Sequence, residues 1–412
     1  MVFYCQRNCY DEEYETKVVS CQAAKLDQVV GGKKHKVECF EVTFEDTVLF
    51  PEGGGQPDDH GSVNDAMVLR VIRRGGEAVH YLDKNIEVGS QVKQVVDWTR
   101  RHDHMQHHSS QHLITAVADN KYNYATTSWY LGDSICYIEM DTPQIKPEEM
   151  KVIEDEVNQK IRNCTPVNIT EYDAQDPQLR EVRTRGLPDD VVGPVRVVTI
   201  EGVESNMCCG THVRNLADLQ AIKLTHTEKG KGNKTLLYFL AGSRVIHYLT
   251  ECLSRERQLT TLLHTNPSDH IRLVEKNQKD LKACQKSVKD SMKDIACLEV
   301  EKFKMQNVQE KSTLFVHHRR DGDLEYLGAI INELNDETIL KLLTVGEEKG
   351  SGSLVLHGPQ ELVSALGPKL CEILDGRGGG KNRFNAKVNK ISKRGDAENY
   401  VRAYLADKRS ES

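Results

Sequence analysis

The sequence of 412 residues predicts an α+β protein made of several domains. Short branched or alternating apolar runs, separated by Gly, Asp and Pro, predict a β-rich, barrel-like domain over residues 1–95. Apolar residues at helical spacing, followed by further strand patterns, predict an α+β core over 96–250. A stretch almost without glycine predicts a helical or coiled-coil arm over 251–311, and α/β patterning predicts a C-terminal domain over 312–412.

Composition and the N-terminal sequence predict a cytoplasmic protein that does not enter a membrane. Hydrophobic residues make up 38% of the chain and charged residues 28%. No apolar run approaches the roughly 20 residues that a membrane-spanning helix needs. The start, MVFYCQRNCYDEEYETK, is too polar and acidic for a signal peptide. Twelve cysteines are too sparse for a disulfide scaffold, so in a reducing compartment we expect buried thiols or metal ligands.

The charge distribution separates the C-terminal end from the rest of the chain. The net charge of −7 argues against a surface coated with basic residues for general nucleic-acid binding. Between Gly376 and Glu411, however, ten Lys or Arg residues face four acidic residues, which gives +6 in 36 residues. Such a tail could bind phosphates, although a solvated charged surface is the commoner explanation of a single basic run.

The first two predicted domains contain recognisable helices and strands. A glycine-rich loop, PEGGGQPDDHG at 51–61, fits neither a helix nor a strand. Helices are predicted at 100–120 and at 146–164, where Pro147 suits the first helical turn. Strands are predicted at 35–44, 66–72, 77–83, 195–200, 219–225 and 235–242. The residues between the last two strands predict a hairpin.

The predicted arm repeats apolar residues every seven positions, at Val274, Leu281, Val288 and Ile295. This spacing predicts a coiled-coil arm or a helical hairpin, with self-association through 251–311 as one consequence. A single amphipathic helix that packs on a domain explains the same pattern. Beyond it, the α/β pattern of the C-terminal domain ends in LDGRGGGKNRFNAK, which predicts a glycine-rich turn beside basic residues.

Five histidines lie within the eleven residues 102–112, HDHMQHHSSQH. Residues four apart share one helix face, with Cβ atoms roughly 5–6 Å apart, so His108 and His112 are able to bind one ion together. His104 and His108 have the same spacing. We favour His108 and His112 because the apolar residues Leu113 and Ile114 follow directly, whereas RRHDH is expected to stay polar and outside the core. Alone, this cluster fits a solvated, His-rich helix start better than a metal site.

A second cluster, CCGTH, follows about a hundred residues later and pairs a thiol with an imidazole. Cys208 and His212 leave three residues to form a tight turn around an ion, and Cys209 is the alternative sulfur ligand. Zinc prefers imidazole nitrogen and thiolate sulfur in tetrahedral geometry, and its ligands commonly come as two pairs from separate elements. The two clusters together therefore predict one Zn²⁺ ion bound by His108, His112, Cys208 and His212.

These motifs resemble a known family. HHSSQH, CCGTHV and FPEGGGQPDDHG resemble the editing domain of alanyl-tRNA synthetase and, more closely, the stand-alone alanyl-tRNA editing proteins of the AlaX group. DGRGGGK resembles the synthetase's C-terminal tRNA-binding domain, which the long AlaX form retains. The resemblance covers nearly the whole chain and identifies 96–250 as a synthetase-type editing core. One departure is Cys209, which stands where the family commonly has glycine.

The resemblance implies a hydrolase that removes serine or glycine from mischarged tRNA-Ala. Only about 95 residues precede the editing-type region, which leaves no room for an ATP-dependent aminoacylation domain. We therefore expect the chain to hydrolyse without charging, and without ATP. Zinc would polarise the ester carbonyl or activate water, so acid should lower activity as the histidines protonate. Since four protein ligands fill a tetrahedron, either one gives way to water, the ion becomes five-coordinate, or zinc only positions substrate.

The resemblance also implies which residues select the substrate. A site that hydrogen-bonds a hydroxyl rejects the analogue that lacks it by roughly 10⁴–10⁵, and Thr47 is the candidate for that contact with serine. The glycine-rich loop would line the same pocket through Gly53, Gly54, Gly55 and Gln56. The basic tail would contact tRNA through its shape and phosphates. The tail residues implied are Arg377, Gly378, Gly379, Gly380, Lys381 and Arg383.

Two other classes of function compete with editing. A non-catalytic tRNA- or protein-binding module with a structural zinc would suit a closed four-ligand site and a coiled-coil arm. Such a module has no reason to keep Thr47 and the GGGQ loop. A zinc hydrolase of small acyl esters would explain the metal, but a small substrate needs no basic, glycine-rich tail at a distance.

Overall fold

The computed structural model describes residues 2–30, 33–173, 175–180, 182 and 194–410. It divides the chain into two compact units, Met1–Gln258 and Leu259–Ser412. Both contain helices and sheets, so the predicted mixed α+β class is confirmed. The sequence predicted four segments, and the first two lie together in the first unit. Within the described residues, no helix is long and apolar enough to cross a membrane.

The first unit begins with a short helix and six antiparallel strands that form a closed barrel. The strand order around the barrel is β1-β2-β5-β4-β3-β6, and β6 pairs with β1. Branched side chains such as Val18, Val42 and Val71 fill its interior. The elements are α1 (Tyr4–Arg7), β1 (Glu13–Val30), β2 (Lys33–Phe44), β3 (Gly61–Val63), β4 (Ala66–Arg74), β5 (Glu77–Leu82) and β6 (Gln91–Val96).

The remainder of this unit packs two helices against two antiparallel sheets of order β12-β13-β8-β7 and β11-β10-β9. Apolar residues recur on one face of α3, and Ile153, Val157 and Ile161 are buried there, as the sequence predicts. The elements are α2 (Trp98–Tyr122), β7 (Thr126–Leu131), β8 (Cys136–Met140), α3 (Pro147–Arg162), β9 (Val167–Tyr172), β10 (Val195–Ile200), β11 (Glu204–Met207), β12 (Ile222–Lys229) and β13 (Thr235–Ala241).

Helix α2 begins at a cap on the barrel side and runs into the core of the first unit. The Asp97 carboxylate accepts a hydrogen bond from the Arg100 amide at 3.2 Å, which satisfies one of the open donors of the first turn. The expectation that RRHDH lies outside the core is wrong, because Arg101 and His104 are buried. The Arg101 guanidinium donates to the buried Asp59 carboxylate at 2.9 Å and to the Cys9 and Val48 carbonyls. This pairing makes burial of the charge tolerable.

Two long helices follow, and a second unit with a five-stranded sheet completes the chain. The sheet order is β14-β15-β16-β18-β17; β14 and β15 are parallel and the other pairs antiparallel. The elements are α4 (Ser243–Leu263), α5 (His270–Glu310), β14 (Leu314–Arg319), α6 (Leu324–Glu333), β15 (Leu340–Gly346), β16 (Gly352–His357), α7 (Gln360–Ile373), β17 (Gly376–Gly379), β18 (Arg383–Val388) and α8 (Arg394–Ser410).

The heptad residues of α5 have different environments along the helix. Val274, Leu281 and Val288 are exposed, whereas Ile295 is partly buried and packs on the cluster formed by α6 and its sheet. The second half of α5 therefore behaves as a single amphipathic helix, which was one of the alternatives. Self-association through 251–311 stays a prediction.

The predicted glycine-rich turn near residue 378 is largely wrong. Gly376–Gly379 forms the edge strand β17, and the turn lies beyond it, at residues 380–382. A Cβ on Gly378 would lie 2.2 Å from the Asn385 carbonyl oxygen, so the close pairing with β18 requires glycine. The sequence pattern shows the need for glycine but does not distinguish a turn from a closely packed strand.

Loss of the buried ion pair should destabilise the first unit. We expect Arg101→Ala to lower the free energy of unfolding by about 3–5 kcal/mol, because the Asp59 carboxylate is then buried without its partner. Both tryptophans, Trp98 and Trp129, lie in this unit, so their fluorescence during urea unfolding reports on it.

The matched control is Lys151→Ala, which removes a pair between side chains that are 75% and 63% exposed. Its expected cost is below about 0.5 kcal/mol. Equal effects of the two substitutions would contradict a structural role for the buried pair.

Candidate metal centre

Four side chains from two separate segments converge in the first unit. The ligand atoms of His108, His112, Cys208 and His212 all lie within 4.8 Å of one another. The two histidines of α2 are one helical turn apart, as their spacing requires. The β10–β11 hairpin ends at Met207, and this places the CCGTH turn opposite them. The sequence-predicted set is thus brought together in three dimensions.

The distances suit a small tetrahedral ion. The Cys208 sulfur lies 3.3 Å from His108 Nε2 and 3.2 Å from His212 Nε2. Bonds of about 2.3 Å to sulfur and 2.0–2.1 Å to nitrogen at tetrahedral angles would place those atoms about 3.5 Å apart. A set of three imidazoles and one thiol, already near this separation, fits a zinc-like ion.

The structure separates the two adjacent cysteines. The Cys208 sulfur faces the histidines and accepts a hydrogen bond from the Gly210 amide at 3.4 Å. The Cys209 sulfur lies instead against the glycine loop, 3.0 Å from the position that a Cβ on Gly54 would take. Burial raises the pKa of Cys209, which keeps it a thiol. Cys208 is therefore the candidate sulfur ligand.

Gln56 of the glycine-rich loop orients His108. Its Oε1 accepts a hydrogen bond from the Thr211 amide at 3.0 Å, which fixes this atom as an acceptor. His108 Nδ1 lies 2.9 Å from the same oxygen and so must carry the proton. The lone pair of His108 is then on Nε2, which faces Cys208. Such a partner for the second ring nitrogen is the usual way in which proteins orient a metal-binding histidine.

Ser109 plays a similar part for His212. The Ser109 hydroxyl accepts a hydrogen bond from the Val213 amide at 3.1 Å and lies 3.1 Å from His212 Nδ1. Because a hydroxyl has two acceptor positions, it is able to receive the Nδ1 proton as well, leaving Nε2 free toward Cys208. Burial, and the neighbouring His108 and His112 rings, lower the pKa of His212 well below its ordinary value. This ring is neutral at pH 7.

The glycines of the GGGQ loop form a tight turn packed on the site. Gly53 and Gln56 exchange backbone hydrogen bonds of 3.1 Å, and Gly54 and Gly55 between them have φ angles of +63° and +83°. Two consecutive positive φ angles define the type I′ turn, for which glycine is strongly preferred. The Trp129 indole donates to the Gly54 carbonyl at 3.2 Å and lies 4.9 Å from the His108 ring. The loop is therefore ordered by its contacts rather than free.

Gly210 is required by the packing of the site. A Cβ at this position would lie 2.0 Å from His108 Cε1 and 2.8 Å from Gln56 Oε1. Any larger residue would therefore displace either the histidine or the glutamine that orients it. At position 209, where the family commonly has glycine, the cysteine displaces neither of these residues, since its side chain lies toward the glycine loop.

Arg196, at the start of β10, was not singled out from the sequence. It is 5% exposed, and its guanidinium donates to the carbonyls of Cys208 and Gln6 at 2.7 and 3.1 Å. Gln6 in turn donates to the Cys209 carbonyl at 2.6 Å. These bonds hold the backbone of the two cysteines against helix α1. The sequence signal for Arg196 was a charged residue within a largely apolar strand, VRVVTI.

Thr47 lies inside the barrel and is 1% exposed. Its hydroxyl lies 2.9 Å from His80 Nε2, donates to Gln94 Oε1 at 3.0 Å and accepts from the Leu49 amide at 3.0 Å. These contacts use the hydrogen-bonding capacity of the hydroxyl. The predicted contact with a substrate hydroxyl stays a prediction, and it requires one of these bonds to open.

His104, the alternative partner of His108, lies outside the group of four. It is buried, and in the described part of the chain its Nδ1 has no hydrogen-bond partner. Burial lowers the pKa of His104 to about 3. The predicted tail residues Arg377, Lys381 and Arg383 are exposed in the second unit.

One segment of the first unit is similar to an accessory domain of tRNA synthetases. A family model described as the threonyl and alanyl tRNA synthetase second additional domain matches residues 195–238, which include Cys208 and His212.

Full-length relatives refine this assignment. The chain is 50% identical to alanyl-tRNA editing protein Aarsd1-B of Xenopus laevis, over 97% of this chain and 96% of that protein. It is 48% identical to Aarsd1 of Mus musculus over the full length of both. It is 27% identical to AlaX-L of Pyrococcus horikoshii over 88% of this chain and 92% of that protein. The chain belongs to the alanyl-tRNA editing protein family.

Removing Gln56, the partner of His108, should weaken metal binding. We expect Gln56→Ala to lower zinc affinity about 10–100-fold, because the His108 ring loses the acceptor that fixes its proton on Nδ1. Competition with a chromophoric chelator measures the affinity. Gln22→Ala, which removes an exposed glutamine of the barrel, is the control; an equal change in both variants would argue against the assigned role.

The barrel interior should make stability depend on pH. Burial lowers the pKa of His80 to about 4, whereas the unfolded residue titrates near 6.5. The unfolded state therefore binds more protons as pH falls through 6.5, and stability present above that pH is lost toward pH 4. We expect His80 to account for about 2 kcal/mol of the loss between pH 7.5 and pH 5.

The measurement is urea unfolding at both pH values, followed by tryptophan fluorescence. His80→Asn, which cannot titrate, should show a pH-dependent loss smaller by that amount. An unchanged pH dependence in the variant would contradict the assignment.

Proposed function

We propose that this protein is an aminoacyl-tRNA deacylase that hydrolyses the ester of tRNA-Ala mischarged with serine or glycine. The observation that carries the proposal is the convergence of three imidazoles and one thiol beside the GGGQ loop, in a chain of the alanyl-tRNA editing family. The four-segment organisation predicted from sequence assigns the editing core to residues 96–250, the GGGQ loop to the β-rich domain 1–95, and tRNA binding to 312–412. The reaction consumes water and needs no ATP.

The proposed cofactor is one Zn²⁺ ion held by His108, His112, Cys208 and His212. When bound, zinc supplies Lewis acidity, which favours attack of water on an ester carbonyl. The donor set supports zinc over calcium or magnesium, because those harder cations prefer oxygen ligands.

The chain itself orients the ligands and controls access. His108 and His212 are about 1% exposed, and their partners Gln56 and Ser109 hold the ring nitrogens in place. His112 and Cys208 are only partly buried, so the acylated end of the tRNA is proposed to approach from their side. The buried side, at His108 and His212, excludes bulk water from the ester, and the partly exposed side, at His112 and Cys208, admits the tRNA terminus.

Selectivity for serine requires a group that recognises its hydroxyl, since correctly charged alanine lacks it. We place this contact at Thr47, which would exchange one of its present hydrogen bonds for the substrate hydroxyl. The turn at Gly53, Gly54 and Gly55 lets the backbone approach the substrate closely. Gln56 contributes by orienting His108 and is itself completely buried.

The tail is proposed to bind the body of the tRNA. Arg377, Lys381 and Arg383 are exposed around the β17–β18 edge of the five-stranded sheet, beside Gly378, Gly379 and Gly380. Their charges suit phosphates, whose recognition depends on RNA shape rather than base sequence.

A structural zinc in a non-catalytic tRNA-binding module is the second candidate. The observation in its favour is that four side chains are present, enough to complete a tetrahedron. The two functions differ in whether the ester is hydrolysed.

A deacylation assay with paired cysteine variants tests the proposal. We expect the protein to release serine from Ser-tRNA-Ala while sparing Ala-tRNA-Ala, and a chelator to abolish this release. Cys208→Ala should reduce the rate more than about 100-fold, since loss of an outer partner alone costs 10–100-fold. Cys209→Ala is the matched control and should retain most of the activity, because its sulfur faces the glycine loop.

Slow, equal loss of both esters under every condition would reject editing and favour the structural-zinc module. Selective hydrolysis that survives Cys208→Ala would leave editing in place and remove this sulfur from the site.

A further inference from the structure

Helix α5 carries a row of basic side chains, here called the α5 stripe. Its members follow one another at intervals of three or four residues, the spacing that keeps side chains on one helix face. All are exposed. The members of the stripe are Arg272, Lys276, Lys279, Lys282, Lys286, Lys289 and Lys293.

The α5 stripe is long enough to contact several phosphates of a polymer. A rise of 1.5 Å per residue makes it about 31 Å long, with neighbouring charges about 5 Å apart along the axis. At roughly 100° per residue the seven side chains fall within an arc of about 140°. Between residues 272 and 293 seven basic residues accompany three acidic ones, a net charge of +4 in a chain whose total is −7.

Most of these charges form no ion pair within the part of the chain that the structure describes. Arg272 pairs with Asp269 at 3.1 Å, and Lys289 with Glu325 at 2.8 Å. For the other five lysines, the described residues include no carboxylate within ion-pair distance. Asp280 and Asp290 stand four residues after Lys276 and Lys286, yet neither forms an ion pair with them. On α3, by contrast, Lys151 pairs with Asp155 at 2.9 Å.

Without a bound anion, the spacing of the lysines in the stripe destabilises helix α5. Lys282 and Lys286 are four residues apart, as are Lys289 and Lys293, and like charges at this spacing destabilise a helix. The stripe does not serve to cover apolar surface with lysine stems either. The exposed apolar residues Leu281 and Val288 lie on the opposite side of the helix, more than 80° from the lysines next to them by helical geometry.

The first unit cannot supply general attraction for a polyanion. Residues 1–258 contain 30 basic and 39 acidic residues, a net charge of −9. A nucleic-acid substrate is repelled by such a surface at long range, so local basic surfaces have to supply its affinity.

We propose that the α5 stripe binds the phosphate backbone of the tRNA. This inference rests on the proposed function for the identity of the polyanion and assigns it a contact surface outside the metal centre and the basic tail. The contacts are independent of base sequence, because exposed lysines act as point charges toward phosphate. They raise affinity for the tRNA body and leave the hydrolysis of the ester itself unchanged.

The test replaces three unpaired lysines in the full-length protein, Lys279→Gln, Lys282→Gln and Lys286→Gln together. Binding of uncharged tRNA-Ala is measured between 50 and 200 mM salt. We expect affinity at the upper salt concentration to fall at least about tenfold, and the slope of log affinity against log salt to fall by about 3, one for each lost phosphate contact. Circular dichroism should show unchanged helix content, since the change removes repulsion.

Two controls separate local contact from net charge and from chemistry. Lys17→Gln, Lys25→Gln and Lys36→Gln together remove the same charge from exposed positions of the barrel and should leave the slope unchanged. Hydrolysis of a short seryl acceptor-end RNA should proceed at the wild-type rate in the stripe variant, whereas hydrolysis of limiting full-length Ser-tRNA-Ala should slow.

Unchanged tRNA affinity and salt slope in the stripe variant would overturn the inference. If tRNA binding is unchanged but the stripe variant no longer sediments with phosphatidylserine vesicles, the inference is overturned and the stripe binds an anionic membrane instead. Failure of the proposed function is distinguishable, because it would appear as wild-type protein that binds tRNA through the stripe without hydrolysing the ester.

Discussion

The hydrogen bond between His108 and Gln56 connects the three segments on which the site depends. Gln56 ends the glycine turn of the barrel, His108 lies on α2, and the Thr211 amide belongs to the CCGTH turn, yet all three meet at one amide oxygen. The acceptor role of that oxygen fixes the proton of His108 and therefore the direction of its lone pair. A metal centre assembled from distant residues needs such a constraint, since ligand identity alone does not orient the rings.

Buried charges hold these segments in place. Arg101 joins the start of α2 to Asp59 of the loop that leaves the glycine turn, and it also bonds the backbone before and after the first barrel strands. Arg196 bonds the carbonyl of Cys208 and fixes the thiol turn against α1. Each arginine uses its planar, fixed set of donors to bind several acceptors at once. Rigid placement of the ligand pairs follows from these two side chains.

The two units divide the demands of acting on a large, charged substrate. The acidic first unit contains a small, partly enclosed group of ligands suited to one ester. The second unit contributes exposed basic residues on α5 and on the β17–β18 edge. A metal centre and a surface that binds a polyanion require different charge, since a strongly basic pocket would repel the metal cation.

Local residue patterns determined the main helices of the first unit and the candidate metal ligands. Apolar spacing placed α2 and α3 within two residues of their ends, and the HxxxH and CxxxH pairs identified all four candidate ligands, because residue spacing fixes which side chains share a face or a turn. Residue spacing did not reveal the burial of Arg101 and His104. Burial of Arg101 depends on the Asp59 carboxylate, 42 residues earlier in the chain. Nor did residue spacing separate Cys208 from Cys209, or find the partners of Thr47. Those outcomes depend on which distant atoms the fold brings within hydrogen-bond distance, and only the tertiary structure decides that.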